Sequence, residues 1–154
     1  MATPTPTQTQ TPSAPEAVGG QSPTPTTSPQ VNVAQSSAGE GNNEILNAIN
    51  DYRVSKGLGR VVSNAETCSF AKTRAGEISA NFNHDGFTQR IASHNLPYTS
   101  YSLVTENIAE NSDSSQIVNM WINSPSHEEN IRKDTPYVCI VQNGNYFAYE
   151  GWKP

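Results

Sequence analysis

The first forty residues contain no lysine or arginine, their only charges are Glu16 and Glu40, and they hold seven of the eleven prolines. Beyond Met1 and three valines no large apolar side chain occurs there, so the stretch cannot bury enough surface to offset the entropy of ordering it. Its repeated Thr-Pro and Ser-Pro pairs favour extended, polyproline-like backbone. Residues 1–41 therefore read as a disordered Thr/Pro/Ser-rich linker, and residues 42–154 as one domain long enough for a single core without obligatory crosslinks. That domain has no basic stripe and no run of like charge, with twelve acidic against nine basic residues. Nucleic acid and anionic lipid are thereby poor partners. No segment approaches the roughly 18 consecutive apolar residues of a membrane span, and no apolar signal core follows Met1. A Thr/Pro spacer suits an exported chain better than a cytosolic one, so an export signal or anchor is expected ahead of Met1.

Cysteine is equally scarce. Cys68 and Cys139 are the only two, both in apolar surroundings, and they fit either one disulfide in an oxidising compartment or two buried thiols in the cytosol. With the linker beside them the disulfide is preferred. It would tie the second helix to the first strand of the final hairpin.

What is present reads as helices first and strands last. Asn42-Asn43 caps a first helix over 43–56, with Ile45, Leu46, Ile49 and Tyr52 at helical spacing and Gly57 as its stop. Ser63-Asn64-Ala65-Glu66 resembles a capping box opening a second helix over 64–81, whose stripe Cys68, Ala71, Ala75, Ile78 and Phe82 faces the core. His84 follows in a turn after that helix. A short helix is expected over 87–93, a strand over 101–106, and a fourth helix capped by Ser112 or Asp113, carrying Ile117, Val118 and Trp121 and stopped by Ser124-Pro125. Two β-rich runs around Asn143-Gly144 are a strong hairpin signal. The order predicts an α+β domain with a small antiparallel sheet flanked by helices.

Three residues could carry chemistry: His84, Glu106 and His127, with Asn107 beside them. Two imidazoles and a carboxylate with one open position suit a divalent cation such as Zn²⁺, the one cofactor these residues suggest. Their spacings, 22 and 21 residues, are not those of a local metal motif. The same residues also read as a buried hydrogen-bonded network fixing sheet to helices, and Asn107 as a backbone support. Hydrolysis, with Glu106 activating a water held by the imidazoles, ranks below binding. Ser124 and Ser126 lie near His127 but in no Gly-x-Ser-x-Gly elbow, and they read as helix stop and cap. Trp121 and Phe82 read as core, and His94 as solvated. Tyr137, Tyr146, Tyr149 and Trp152 read as sheet packing in preference to an exposed aromatic face.

Taken in order, Arg53 with Gly57-Leu58, Ala71 and Arg74, Asn83-His84, Glu106-Asn107-Ile108-Ala109, Trp121 with Ser124-Pro125-Ser126-His127, Asn130-Ile131 and the final hairpin resemble the CAP superfamily. That group comprises the cysteine-rich secretory, venom allergen and plant pathogenesis-related proteins, and the short bacterial members are the nearest in pattern. The resemblance runs from about residue 43 to 152. It implies an α-β-α sandwich, export from the cytoplasm, and a cleft into which a histidine and the Glu-Asn glutamate point, matched here by His84 and Glu106. The Ser-Pro-x-His motif of bacterial members supplies His127. Longer eukaryotic members carry a second glutamate where this chain has Ser124, and a Gly-His-Tyr-Thr-Gln motif that is absent here, so the four-residue cluster is incomplete. The implied function is an exported, monomeric binding module for an extracellular small molecule, lipid, glycan or peptide. A metal-assisted hydrolase using the same residues is the alternative.

Overall fold

The computed structural model describes residues 41–154. Apart from Gly41, the linker expected over residues 1–41 lies outside the described residues. Gly41 itself packs on the domain, where an added Cβ would lie 2.7 Å from Cys139 Sγ.

Helix α1 spans Asn43–Ser55, and Asn42 Oδ1 accepts from the Ile45 N–H at 3.1 Å, relieving one of the unpaired donors of the first turn. Gly57 follows with φ 75, the left-handed stop expected of it. Helix α2 spans Ala65–Ala80. Its cap is Asn64, which accepts from the Thr67 N–H at 2.9 Å, and not Ser63 one residue earlier. Both residue types cap well, so the capping pattern alone could not separate them. Helix α3, Asp85–Ala92, begins two residues before its expected start. His84 is consequently the N-cap residue of α3 as well as a residue past the end of α2.

Strand β1 runs Leu103–Glu110 and not 101–106. Its limits are set by pairing with a later strand, from Leu103↔Lys153 to Glu110↔Tyr146, a tertiary constraint invisible to local propensity. Next come a 3-10 turn at Ser114–Gln116, in which Asp113 accepts from the Ser115 N–H at 3.0 Å, helix α4 at Ile117–Ile122 and helix α5 at Pro125–Arg132. The hairpin is as expected, with β2 at Tyr137–Asn143, β3 at Tyr146–Lys153 and Gly144 at φ 62.

All pairing is antiparallel in the order β1-β3-β2, which puts the last strand in the middle. Alternation assigns the two faces. On one, Ile108 and Ala148 meet Ala75 and Ile78 of α2, while Trp152 joins Phe70 and Phe87. On the other, Ala109, Phe147 and Tyr149 meet Ile49 of α1, Trp121 of α4 and Ile131 of α5. The result is an α-β-α sandwich with α2 and α3 on one side and α1, α4 and α5 on the other.

Three tethers hold the layers. Cys68 and Cys139 form the disulfide, joining α2 to β2. Arg53, buried, donates to the carbonyls of Gly59, Ile131 and Lys133 at 2.8, 2.5 and 2.8 Å, clamping the end of α1 to the end of α5. Asn50 exchanges two hydrogen bonds with the Val61 backbone, at 2.9 and 2.7 Å. One core expectation fails: Phe82 is 45% exposed, because α2 ends at Ala80 and the stripe loses its helical direction before reaching it. Trp121, Tyr149 and Trp152 are buried, and His94 is exposed at φ 54.

Candidate functional site

Glu106 sits in the middle of β1 with its side chain turned towards α2, only 1% exposed. A carboxylate so placed needs partners, and Arg74 and His84 are among those that reach it. Arg74 of α2 donates from Nε to Oε2 at 2.5 Å and from Nη2 to Oε1 at 3.3 Å, and His84 Nδ1 lies 2.7 Å from Oε1. Burial alone would raise the Glu106 pKa. The bonds from His84 and Arg74 and the guanidinium charge outweigh it, and the carboxyl is held below its ordinary range. An ionised carboxylate only accepts, so His84 Nδ1 carries the proton and, in the neutral ring, Nε2 is the acceptor.

Arg74 is the hub behind this pair. It is buried, and besides Glu106 it bonds the Asn83 carbonyl at 2.9 Å and the Glu77 carboxylate. The Asn83 contact fixes the turn that carries His84. Glu77 is held in turn by Arg90, at 2.5 and 3.1 Å, and its pKa is lowered, chiefly by the Arg90 bond. Gly86 closes the arrangement: a Cβ there would run into both the Arg74 guanidinium and the Glu77 carboxylate.

The sequence reading missed Glu150. It stands opposite Glu106 in the β1–β3 register, fully buried, and its pKa is pushed well up by burial, then by the charge and hydrogen bond of Glu106. The two carboxyls are thereby pushed in opposite directions, Glu150 towards the neutral acid and Glu106 towards the carboxylate. A clue was present, since Glu150 interrupts the otherwise apolar and aromatic run of β3, and a charged residue type at a core position needs a reason.

His127, on α5, faces His84 across the gap with ring centroids 6.4 Å apart. Burial, and then the charge on His84, lower its pKa. Asn107 does not share the opening. It points to the opposite face of β1, fully buried, donates to the His127 carbonyl at 2.9 Å and accepts from Asn130 at 2.9 Å. Asn130 also donates to the Glu106 carbonyl at 3.0 Å, so Asn107 and Asn130 pin α5, and with it His127, to the strand.

Between the imidazoles lies a hollow of ≈ 270 Å³, walled by His84, Phe87 and Thr88 on the α3 side and by Ser126, His127 and Asn130 on the α5 side, with Val104 to Glu106 along its floor. No hydrogen bond joins Ser126 to either imidazole among the described residues, so no activated serine is formed. Nor, among these residues, do three or more His, Cys, Asp or Glu side chains form a cluster suited to a metal ion. Both Glu106 oxygens are engaged by Arg74 and His84, and a cation approaching that carboxylate would meet the guanidinium charge. As arranged, these donors fit an oriented imidazole better than a metal.

A three-layer sandwich with a histidine–glutamate pair at the mouth of a hollow beside an edge strand defines the class of the protein. The chain belongs to the CAP family, described as the cysteine-rich secretory protein family, whose model matches residues 46–138. Solved structures agree on the fold. An outer surface protein of Borrelia burgdorferi superposes with a TM-score of 0.61 at 24% identity, covering 72% of this chain and 90% of that one. An extracellular protein of Bacillus anthracis containing an SCP domain gives a TM-score of 0.64 at 19% identity, covering 73% and 40%. A cysteine-rich secretory protein of Staphylococcus aureus gives 0.60 at 15%, covering 75% and 40%, so the chain spans well under half of these last two proteins. No curated protein matches the chain.

Proposed function

We propose that this chain is an exported CAP-domain binding module whose ligand enters the hollow between His84 and His127, in an extracellular or cell-envelope role. The observation that carries this reading is the state of His84. Its side chain is 45% exposed at the mouth of the hollow, yet its Nδ1 is fixed 2.7 Å from a buried carboxylate. A wholly structural histidine would be buried with its partner, whereas an oriented and open one presents Nε2 to whatever enters. Export is supported by the disulfide, by the descriptions of the bacterial proteins above as outer surface or extracellular, and by the composition of the linker. No described helix is long and apolar enough to cross a membrane.

The test is nuclear magnetic resonance of the domain with labelled histidine side chains, titrated with fractions of culture supernatant and of envelope extract. Binding should move the His84 and His127 ring signals and leave exposed His94 in place, and His84→Ala should abolish the response. Shifts spread evenly over all three rings would discard the reading. Zinc calorimetry separates the hydrolase alternative: one-to-one heat lost in Glu106→Ala would support a metal site. A lower melting temperature in that variant, unchanged by zinc, would mark a network of structural bonds.

A further inference from the structure

The two outer edges of the sheet are treated differently. On β2, Val62 lies alongside the edge in parallel, its N–H donating to Pro136 C=O at 3.0 Å and its C=O accepting from Val138 N–H at 2.9 Å. One residue of extended backbone thus fills one acceptor and one donor on the rim. On β1 the even-numbered residues face away from β3. Asn111, just past the strand, donates to Asn145 across the ladder, so odd positions face inward, while Glu106 C=O and Ile108 C=O are taken from outside by Asn130 at 3.0 Å and Trp121 Nε1 at 3.2 Å. Side chains of α4 and α5 therefore cap the Glu106 and Ile108 carbonyls on this rim. The rim stays open just before them, where among the described residues nothing bonds Val104 C=O or Glu106 N–H. That acceptor and donor have the spacing that Val62 satisfies on β2, and both residues line the hollow.

Resting on the binding reading above, we infer that the ligand is an extended peptide segment that lies along the β1 rim, one of its residues pairing with Val104 C=O and Glu106 N–H between the walls bearing His84 and His127. Backbone pairing on an exposed strand edge gives affinity without demanding a particular sequence. Side-chain preference comes from the walls, where Phe87 and Val104 offer apolar contact and Thr88, Ser126 and Asn130 polar contact. The hollow, at ≈ 270 Å³, suits a short extended segment and no folded domain. A chain terminus or a stretched loop keeps the free N–H and C=O groups this pairing needs; a helix has already paired its own.

The test uses the full chain and a random peptide library displayed on phage, with His84→Ala and Val104→Pro as counter-selected variants. Val104 N–H points away from β3, so proline there removes no ladder bond, though its ring obstructs the rim. Peptides enriched on the wild type should bind Val104→Pro at least about ten-fold more weakly. Should that variant unfold, synthetic peptides N-methylated one residue at a time against the wild-type chain keep the question decidable. Methylation should abolish binding at the residue that donates to Val104 C=O and be tolerated at its neighbours. If no peptide is enriched, or if binding ignores both Val104→Pro and every N-methyl group, the edge pairing is wrong. A peptide that needs His84 yet ignores the rim would leave the cleft reading standing and overturn only this inference.

Discussion

Glu106 and Glu150 stand opposite each other across β1 and β3, both buried, and the pair holds one negative charge where its composition would allow two. Of these two carboxyls Arg74 hydrogen-bonds only that of Glu106, which favours the charge there and the proton on Glu150. The layer between α2 and the sheet is thus near neutral: one guanidinium, one carboxylate and one acid.

Replacing each glutamate by glutamine should consequently give unequal results. Glu150→Gln swaps one neutral group for another of the same shape and should cost under about 1 kcal/mol at pH 5. Glu106→Gln leaves the buried guanidinium short of its main counter-charge and should cost about 3–5 kcal/mol. Urea denaturation of the two variants beside the wild type measures both, and equal losses would contradict the assignment of charge.

The same pair sets a pH dependence with a definite sign. The folded-state pKa of Glu150 lies above its ordinary value of 4.5, because of burial and then of Glu106, so the folded protein holds a proton that the unfolded chain gives up. The stability this contributes is complete below 4.5 and declines as pH rises towards the folded pKa. Glutamine cannot ionise, so Glu150→Gln should gain on the wild type from pH 5 to 8, by at most about 1.4 kcal/mol per pH unit. A constant gap over that range would show that Glu150 is already ionised in the fold.

Two glycines in helices should respond oppositely to alanine. At Gly76, in α2, an added Cβ meets nothing within 4 Å, and Gly76→Ala should stabilise by about 0.5–1 kcal/mol through helix propensity alone. At Gly86, in α3, the same propensity gain opposes a collision with Arg74 and Glu77, side chains already fixed by Glu106, Asn83 and Arg90. Overpacking of about 1–3 kcal/mol should win, and Gly86→Ala should melt lower than the wild type. It should also loosen His84, whose turn hangs from Arg74, so exchange broadening of the His84 ring signals accompanies the loss.

How far the letters reached follows from what each feature depends on. Helices α1 and α2 and the hairpin were legible because Asn42, Gly57, Asn64 and Asn143-Gly144 act over a few residues. His84, Glu106 and His127 were legible as a set only through the family pattern, since residues 22 and 21 apart share no local geometry. Arg74 was visible only as a family-pattern residue on the second helix, and its role needed the position of β1 against that helix. Glu150 escaped because its partner is fixed by register, and a hairpin signal does not say which strand lies against its second arm. Phe82 was misplaced for the converse reason, a helical period carried two residues beyond the helix.

The disulfide gives the last prediction. Cys68 and Cys139 are 71 residues apart, so cutting the link releases a long loop into the unfolded ensemble, with a chain-entropy contribution of about 4 kcal/mol. Its surroundings add a native-state effect, because Gly41 lies against both sulfurs and Asn42 N–H bonds Ile140 C=O at 2.7 Å nearby. Losing the bond should therefore loosen the start of α1 as well as the α2–β2 contact. The double variant Cys68→Ala/Cys139→Ala should lose about 2–5 kcal/mol, and hydrogen exchange should quicken at Asn42 and in β2 before β1. Thiol titration of exported, denatured, unreduced wild type should find none. Two free thiols would remove the oxidised state from the working protein, and an unaltered exchange pattern at Asn42 would limit the disulfide's action to the unfolded chain.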